Sequence, residues 1–283
     1  MEKIIELLPI NNVTNISPIE GGDVNDSYKL EADGGSYFMK VHKNKDASFF
    51  ECEKAGLKLF EENGIFAPRA LASGDIDGSA YLLMTYHQEK RAGSQEDLAK
   101  VIADIHKIKS PDGKFGFPYP FIGTACDFDN EFKDTWKEVF LFERLDKLRD
   151  MLIKTKLWDD KDRIRYEEVR FVIERELDKH KSEAVLLHGD LWAGNFMFDE
   201  DERPIVFDPS PLYGDREFDI GVSTVFGGFR KAFYEEYKDL MPLDEGYQQR
   251  LNFYRLYILM KYMLRFGPVY DSSVNDLMKI ITK

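Results

Sequence analysis

The pattern of hydrophobic and polar positions divides the chain into two parts of different character. Before about residue 90, short runs rich in aromatic and β-favouring residues alternate with turn residues, as at residues 37–41 after the turn Asp33-Gly34-Gly35. Such runs predict short strands joined by hairpin turns. One longer run, residues 48–62, has apolar positions at helical spacing and ends before Asn63-Gly64.

The later part of the chain has mostly helical periodicity. Ser94 is a predicted helix cap, and Glu96 and Asp97 follow in the first turn, where the helix dipole favours anions. Further amphipathic stretches span residues 130–155, 164–181, 229–240 and 245–266, with an apolar, strand-rich interlude at 185–210. The sequence therefore predicts an α+β fold with a small β-rich N-terminal lobe, residues 1–86, and a large, mainly helical C-terminal lobe, residues 87–283.

Composition narrows the class of protein. The 283 residues are 43% hydrophobic and 32% charged, as in ordinary globular proteins, and the net charge of −13 argues against nucleic-acid binding. No run approaches the roughly 20 apolar residues of a membrane helix, and the first ten residues lack the pattern of a secretion signal. Two cysteines, Cys52 and Cys126, are too few for a disulfide framework. We therefore expect a cytoplasmic protein with no membrane or nucleic-acid partner.

The strongest chemical motif is the run from His188 to Asn195, H-G-D-L-W-A-G-N. It matches the kinase catalytic-loop template H-R-D-L-x-x-x-N except at Gly189, and a predicted hairpin then leads to Asp208. In phosphoryl transfer, Asp190 would accept the proton of the acceptor hydroxyl, while Asn195 and Asp208 would supply the oxygen ligands that Mg²⁺ prefers. A protein kinase proper is disfavoured, because no D-F-G or A-P-E segment follows Asp208.

The N-terminal lobe contains two residues that would complete a nucleotide site. Lys40, in the predicted strand at 37–41, would contact the ATP phosphates, although a lysine at a strand end is also typical of a solvated surface. Glu53, on the helix that follows, would pair with Lys40 and hold it in place. Glu51 is an alternative partner, because it lies two residues away on the same helix.

Two further segments are weaker candidates for nucleotide binding. Gly21 and Gly22 would let the backbone approach phosphates closely, but they do not satisfy G-x-G-x-x-G and also fit a plain hairpin turn. The segment Leu83 to Tyr86 resembles the connector between the lobes of kinases, whose backbone would bind adenine through Met84 and Tyr86. An ordinary strand leading into a loop would have the same sequence.

Taken together, these motifs resemble the fructosamine kinase (ketosamine-3-kinase) family, a branch of the aminoglycoside-phosphotransferase-like kinases with a two-lobed, protein-kinase-like fold. The residues that carry the resemblance are His188 to Asn195, Asp208 with Pro209, Tyr213 to Asp219, Phe226 to Phe229, Pro242 with Leu243, Tyr254 to Tyr257 and Phe266 with Gly267. The resemblance implies ATP- and Mg²⁺-dependent phosphorylation of a sugar hydroxyl in ketosamines, the adducts of sugars with amines. That reaction destabilises the adduct, so the implied role is deglycation of proteins or metabolites.

The same family block suggests roles for residues outside the phosphoryl-transfer motif. Trp192 either offers an apolar face to the sugar ring or packs beneath the loop. Either Asp215 or Glu217 would meet the substrate amine, unless the charged run is simply a solvated turn. Asp219 would brace the catalytic loop by accepting hydrogen bonds, and His188 would hold that loop in place rather than react.

The chain also departs from the family pattern. Asp215 stands where the family usually has His, Phe218 stands where Ala is usual, and the segment Leu259-Met260-Lys261-Tyr262 lacks the Leu-Asn-His pattern of many members. The glycine-rich turn at residues 21–25 lacks the redox-active cysteine of some relatives, so we expect a monomer without a disulfide-linked dimer. These departures leave the exact acceptor open.

Two alternatives remain at this point. The first is a kinase of the same fold that phosphorylates a different acceptor: an aminoglycoside, choline, homoserine or a thiosugar. A pseudokinase that only binds a nucleotide or a partner is disfavoured, because Lys40, Asp190, Asn195 and Asp208 are all present.

Overall fold

The chain folds into two compact units. The structure, a computed structural model, describes residues 2–19, 25–90 and 92–283. The first unit comprises Met1–Ser94 and Phe196–Pro209, and the second comprises Gln95–Asn195 and Ser210–Lys283. The first unit thus extends eight residues beyond the boundary expected at residue 86, and it includes a segment from the middle of the chain that the sequence assigned to the other lobe.

The first unit is built on one antiparallel sheet with the strand order β1-β2-β3-β5-β4. Its strands are β1 (Asn15–Pro18), β2 (Asp26–Ala32), β3 (Gly35–Lys43), β4 (Ala70–Ile76) and β5 (Ser79–Thr85). The predicted hairpin joins β2 to β3, with Leu30 opposite Tyr37. Two helices belong to this unit, α1 (Glu2–Ile5) and α2 (Ser48–Glu62), and α2 has the bounds that its apolar spacing predicts.

Alternation along the strands builds the core of this unit. Leu30 of β2, Met39 and Val41 of β3 and Leu83 of β5 are all buried in one cluster. Removing such side chains from water stabilises the sheet by roughly 1.5–3 kcal/mol each. The positions that flank them are therefore held in a fixed register, and in that register Lys40 lies opposite Leu82 of β5.

The segment from the middle of the chain forms a short hairpin of β7 (Phe196–Phe198) and β8 (Pro204–Val206). It joins the first unit through its backbone, because the amide of Lys90 donates to the carbonyl of Phe198 at 2.7 Å. The ring of Phe198 lies against Gly93 so closely that a Cβ at that position would overlap it. This packing is the physical reason that the hairpin belongs with residues 2–94.

The second unit is mainly helical, as predicted. Its helices are α3 (Gln95–His106), a π-helical segment (Glu138–Asp146) that continues into α4 (Lys147–Lys154), α5 (Asp160–Lys179), α6 (Glu217–Ser223), α7 (Lys231–Leu240), α8 (Tyr247–Phe266) and α9 (Asp271–Ile281). Strands β6 (Val185–Leu187) and β9 (Leu212–Gly214) pair antiparallel. Short 3₁₀ turns lie at Ala193–Asn195 and Pro268–Tyr270. Helices α6 and α9 were not foreseen from the sequence, and within the predicted helical stretch 130–155 the π geometry was not foreseen.

Aromatic side chains form the centre of the second unit. Trp136 and Phe140 stack with ring centroids 5.6 Å apart, and Phe218 packs edge-on against both. The indole of Trp136 donates to the hydroxyl of Tyr254 at 3.1 Å, so a buried polar group is satisfied inside the cluster. This core fixes α6 and α8 side by side. Among the described helices, none is long and apolar enough to cross a membrane.

Candidate active site

The first unit contains a buried lysine held between two carboxylates. The ammonium of Lys40 lies 2.7 Å from Glu53 and 2.6 Å from Asp208, and its side chain is almost fully buried. Burial alone would lower the pKa of Lys40, but Asp208 and Glu53 outweigh this effect and hold it above its ordinary value. Lys40 is therefore a fixed cation and not the solvated lysine that the sequence left as an alternative.

The partner of Lys40 on α2 is Glu53 and not Glu51. The carboxylate of Glu51 instead accepts from the hydroxyl of Ser73 and contacts Lys54. Burial raises the pKa of Glu53 to about 7, against the opposing effect of Lys40. Residues two positions apart on a helix point to nearly opposite faces, so Glu51 and Glu53 do not both face Lys40, and the residue that does is the predicted one, Glu53.

Asp208 has an unusual backbone for a residue other than glycine. Its φ is 55°, in the left-handed region that aspartate tolerates better than most residues but still enters at a cost. The side chain remains 38% exposed while one oxygen contacts Lys40. A carboxylate that is held by strained backbone and still open to solvent is a suitable cation ligand.

The remaining predictions for the first unit have mixed outcomes. Gly21 and Gly22 lie outside the described residues. Met84 belongs to β5, which pairs with β3 on one side and β4 on the other, so its backbone groups are part of the sheet. This pairing argues against the adenine contact expected of Met84. Tyr86 follows the end of β5, and its hydroxyl lies 3.1 Å from the side-chain oxygen of Gln88.

In the second unit, the catalytic loop follows β6 and turns sharply at Gly189. The φ of Gly189 is 80°, and a Cβ there would overlap the carbonyl oxygen of Ser210. Only glycine satisfies both constraints. This close approach explains why the chain has Gly189 where the kinase template has arginine.

Buried hydrogen bonds to the carboxylate of Asp219 hold this loop. Its carboxylate accepts from the backbone amides of His188 at 2.7 Å and Gly189 at 2.9 Å. His106 approaches the same carboxylate at 3.1 Å through Nε2 and contacts the hydroxyl of Tyr237 at 2.7 Å through Nδ1. His188 is fully buried, and its Nδ1 accepts weakly from the amide of Asp190 at 3.4 Å. The loop is thus fixed by groups that do not themselves reach solvent.

Asp190 lies on this braced loop with its carboxylate 21% exposed. The amide nitrogen of Asn195 donates to the backbone carbonyl of Asp190 at 2.8 Å and to its Oδ2 at 3.2 Å. With its nitrogen used in this way, Asn195 has its side-chain oxygen as the atom that can ligate a cation. The other carboxylate oxygen, Oδ1, lies 3.3 Å from the ammonium of Lys261 on α8.

Aromatic side chains lie next to the loop. The ring of Trp192 covers Gly194, where a Cβ would overlap it, and packs edge-on against Phe226 at 6.3 Å. Phe226 in turn contacts Tyr262 with ring centroids 4.4 Å apart. Trp192, Phe226 and Tyr262 are each partly buried, so they form an apolar surface that is still open. The fit of Trp192 over Gly194 explains the glycine in W-x-G-N.

The acidic turn after β9 differs from its expected role. Asp215 is 4% exposed and is bonded to His180 and to the hydroxyl of Ser182, both at 2.7 Å. Glu217 is 2% exposed and accepts two bonds of 2.7 Å from the guanidinium of Arg250. Both carboxylates are occupied by internal partners, and turning either towards a ligand would strand a buried charge. These contacts contradict the predicted binding of substrate amine by Asp215 or Glu217, and also the solvated turn.

Two residues near Asp190 were not identified from the sequence. Lys261 and Tyr262 lie in the segment where the chain departs from the Leu-Asn-His pattern of the family, and that departure was the available signal. Burial lowers the pKa of Lys261, but Asp190 outweighs this effect and raises it. Burial, with a smaller effect of Asp190, raises the pKa of Tyr262 to about 12.

Solved structures with the same fold include kinases of two kinds. A putative fructosamine-3-kinase from Haemophilus somnus 129PT has a TM-score of 0.86 at 24% identity, covering 96% of this chain and 92% of that one. An aminoglycoside phosphotransferase solved with ADP and hygromycin B has a TM-score of 0.69 at 16% identity, covering 99% and 97%. These likenesses confirm the predicted protein-kinase-like fold class.

Sequence comparisons extend over nearly the whole chain. A probable ketoamine kinase of Staphylococcus aureus is 48% identical over 281 residues, which cover 99% of this chain and 98% of that protein. A chloroplastic protein-ribulosamine 3-kinase of Arabidopsis thaliana is 29% identical, covering 94% and 82%. The family model described as fructosamine kinase matches residues 4–283. The resemblance seen in the motifs is thereby confirmed, and the chain belongs to the fructosamine kinase family.

Proposed function

We propose that this protein is an ATP- and Mg²⁺-dependent kinase that phosphorylates a sugar hydroxyl of ketosamines and so promotes deglycation. The observation that carries the proposal is Asp190, a partly exposed carboxylate on a loop whose backbone is fixed by the buried Asp219. Relatives named as ketoamine and ribulosamine kinases support this acceptor class over aminoglycosides, choline or homoserine.

Asp190 is the proposed proton acceptor. The acceptor hydroxyl donates to its carboxylate, and the proton moves to Asp190 as the oxygen attacks phosphorus. Asn195 orients the carboxylate through Oδ2, and the braced backbone prevents the loop from relaxing away. Positioning of this kind is the main contribution that a protein makes to phosphoryl transfer.

Asn195 and Asp208 are the proposed ligands of Mg²⁺. Their chemistry fits, since hard Mg²⁺ prefers oxygen ligands and each residue offers one from a fixed side chain. The strained backbone and exposure of Asp208 support this assignment. When bound, the ion would neutralise phosphate charge and orient the phosphate oxygens.

Lys40 is the proposed contact to the nucleotide phosphates, and Glu53 holds it there. Its paired, buried ammonium supports a permanent cation at this position. We assign nucleotide binding mainly to the first unit, with Tyr86 beyond β5 as a candidate adenine neighbour. The second unit supplies the acceptor side, where Trp192 with Phe226 and Tyr262 offers an apolar face to the sugar ring.

The protein is proposed to act as a cytoplasmic monomer. Both cysteine side chains, Cys52 and Cys126, are buried. Burial raises the pKa of the Cys126 thiol, which makes it a poor nucleophile for disulfide exchange. This arrangement supports the expectation that no disulfide-linked dimer forms.

The first experiment measures ADP release with Mg-ATP against five acceptors: a fructosamine, a ribulosamine, choline, homoserine and an aminoglycoside. We expect turnover to be stimulated by the ketosamines and lost in Asp190→Asn. A matched pair of variants tests the nucleotide assignment. Lys40→Met should raise the Kd for Mg-ATP by about tenfold or more, whereas Lys43→Met, on the same strand but exposed, should not change it.

Other results would revise the proposal in defined ways. Stimulation by another acceptor alone would keep phosphoryl transfer but discard deglycation. Nucleotide binding without turnover on any acceptor would favour the pseudokinase. Unchanged Mg-ATP binding in Asp208→Ala at varied Mg²⁺ would remove that residue from the metal site.

A further inference from the structure

A partly buried lysine from helix α8 faces the proposed catalytic carboxylate. Lys261 Nζ lies 3.3 Å from Asp190 Oδ1, and the lysine side chain is only 18% exposed. The same ammonium lies 5.2 Å from the ring centroid of Phe121, which supplies a second favourable contact for a cation. Lys261 is therefore held in place from two sides and stays charged.

Lys261 lies at a small cavity next to the loop that carries Asp190. It lines a small cavity of about 10 Å³ together with Arg144, Tyr257 and the catalytic-loop residue Gly189. This volume is roughly that of one water molecule and is too small for a substrate. Arg144, which also lines the cavity, is itself positively charged and cannot neutralise Lys261. The carboxylate that contacts the ammonium of Lys261 is that of Asp190.

The reaction removes that negative charge. As the O–H bond of the acceptor breaks, its proton neutralises Asp190 while the oxygen forms a bond to phosphorus. The bond from phosphorus to the leaving oxygen breaks, and its electron pair leaves with ADP. Leaving a partly buried ammonium without its counter-charge is costly, but the transferred phosphoryl group brings new negative charge to the acceptor oxygen, which was hydrogen-bonded to Asp190.

We propose that Lys261 is a second catalytic cation, which pairs with Asp190 in the resting enzyme and with the transferred phosphoryl group during the reaction. This inference rests on the proposed function. The lysine lies in the segment where this chain departs from the Leu-Asn-His pattern of many family members. Lys40 in the first unit is likewise paired with an aspartate of the motif, Asp208.

The kinetic test compares three variants with the wild type on the best ketosamine of the panel. Lys261→Met should lower kcat by about 100-fold and change the KM for Mg-ATP by less than about threefold, because it removes a charge used in the transition state. Lys261→Arg should recover about tenfold of that loss. Lys147→Met is the matched control, since it removes a cation from Phe128, the ring stacked on Phe121, and should leave kcat within about twofold.

Two measurements do not depend on turnover. Binding of Mg-ADP with aluminium fluoride, a planar analogue of the phosphoryl group, should weaken at least tenfold in Lys261→Met, while binding of Mg-ADP alone should not change. Thermal unfolding should show that Asp190→Asn lowers the Tm less when Lys261→Met is also present, because no unpaired ammonium remains.

The outcomes separate this inference from the proposed function. A wild type that is silent on every acceptor defeats the proposed function and this inference with it. An active wild type with unchanged kcat in Lys261→Met overturns this inference alone. An equal loss in Lys147→Met, or a lower Tm in Lys261→Met with normal kcat, would also overturn it, because either result assigns the lysine to packing.

Discussion

The catalytic loop and the acidic turn that follows β9 both concentrate carboxylates in the second unit, but they use them differently. Asp190 in the loop keeps part of its carboxylate in solvent and is paired with a single lysine. The acidic turn comprises Asp215 and, in the first turn of α6, Glu217 and Asp219; all three are almost completely buried, and each accepts hydrogen bonds from internal donors. Exposure and the identity of the partner therefore separate the proposed proton acceptor from the carboxylates that hold the fold.

The burial of its carboxylates also indicates that the acidic turn has a structural role. Its carboxylates tie together segments that are distant in sequence: Asp215 binds His180, Glu217 binds Arg250, and Asp219 binds the loop at residues 188–189. Removing any one of these carboxylates should therefore lower stability or shift the loop, and should change the reaction rate only as a result of that. Substitutions in the catalytic loop should mainly lower kcat, whereas substitutions in the acidic turn should mainly lower stability.

The largest expected effect is kinetic and belongs to the loop. Asp190→Asn should lower kcat by about 10³-fold, because the proton acceptor is lost, while the Kd for Mg-ATP stays within about threefold. Steady-state kinetics and equilibrium nucleotide binding on the same preparation would measure both. Equal, mild changes in Asp190→Asn and Asp208→Ala would contradict the division between proton acceptor and metal ligand.

Breaking the ion pair between Glu217 and Arg250 should cause a large loss of stability. Arg250→Met leaves Glu217 buried without its bidentate partner and should lower the free energy of unfolding by about 3 kcal/mol. Urea unfolding would measure this loss. Arg163→Met, which breaks an exposed pair with Asp160, is the control and should cost less than about 0.5 kcal/mol. If Arg250→Met were as mild as the control, the turn would not be a structural element.

Asp219 connects the two regions, so its substitution should affect both properties. Asp219→Asn places an amide nitrogen against backbone donors and should cost about 2 kcal/mol of stability and lower kcat about tenfold. The expected KM for Mg-ATP is unchanged, since the defect lies in loop position. Loss of stability with an unaltered kcat would show that the loop holds its geometry without Asp219.

The smallest expected effect is a pH dependence of stability at His180. Burial lowers the pKa of His180, but the hydrogen bond and charge of Asp215 outweigh it and raise the pKa above its ordinary value. The stabilisation from this pair is therefore complete below about pH 6.5 and is lost as pH rises through the higher folded pKa. Asp244 lies 4.0 Å from Nδ1, and Glu217 acts in the same direction while Arg250 opposes it.

The variant His180→Gln tests the direction of this pH dependence. The stability difference between wild type and variant should be larger at pH 6 than at pH 9, by about 1 kcal/mol. Thermal or urea unfolding at the two pH values would measure it. A difference that grows with rising pH would mean that the imidazole is neutral in the folded protein.

Much of the fold followed from local sequence signals. The alternation at residues 37–41 predicted β3, the apolar spacing at 48–62 predicted α2 with its bounds, and the hairpin after Asn195 was placed correctly. These elements were accessible because the periodicity of their side chains matches their own geometry. Helix α6 and the π geometry of residues 138–146 were missed, since Phe140 and Phe218 pack against aromatic residues far along the chain.

The candidate site divides in the same way. Sequence alone determined the order of Lys40, Glu53, Asp190, Asn195 and Asp208, because the chemistry of phosphoryl transfer restricts the residue types and their spacing. Tertiary structure decided which carboxylates are buried and which stay partly exposed to solvent. Glu217 meets Arg250 across 33 residues and Asp190 meets Lys261 across 71, and only packing of the helices brings such partners together. The charge and exposure of a site are properties of that packing, and no local pattern encodes them.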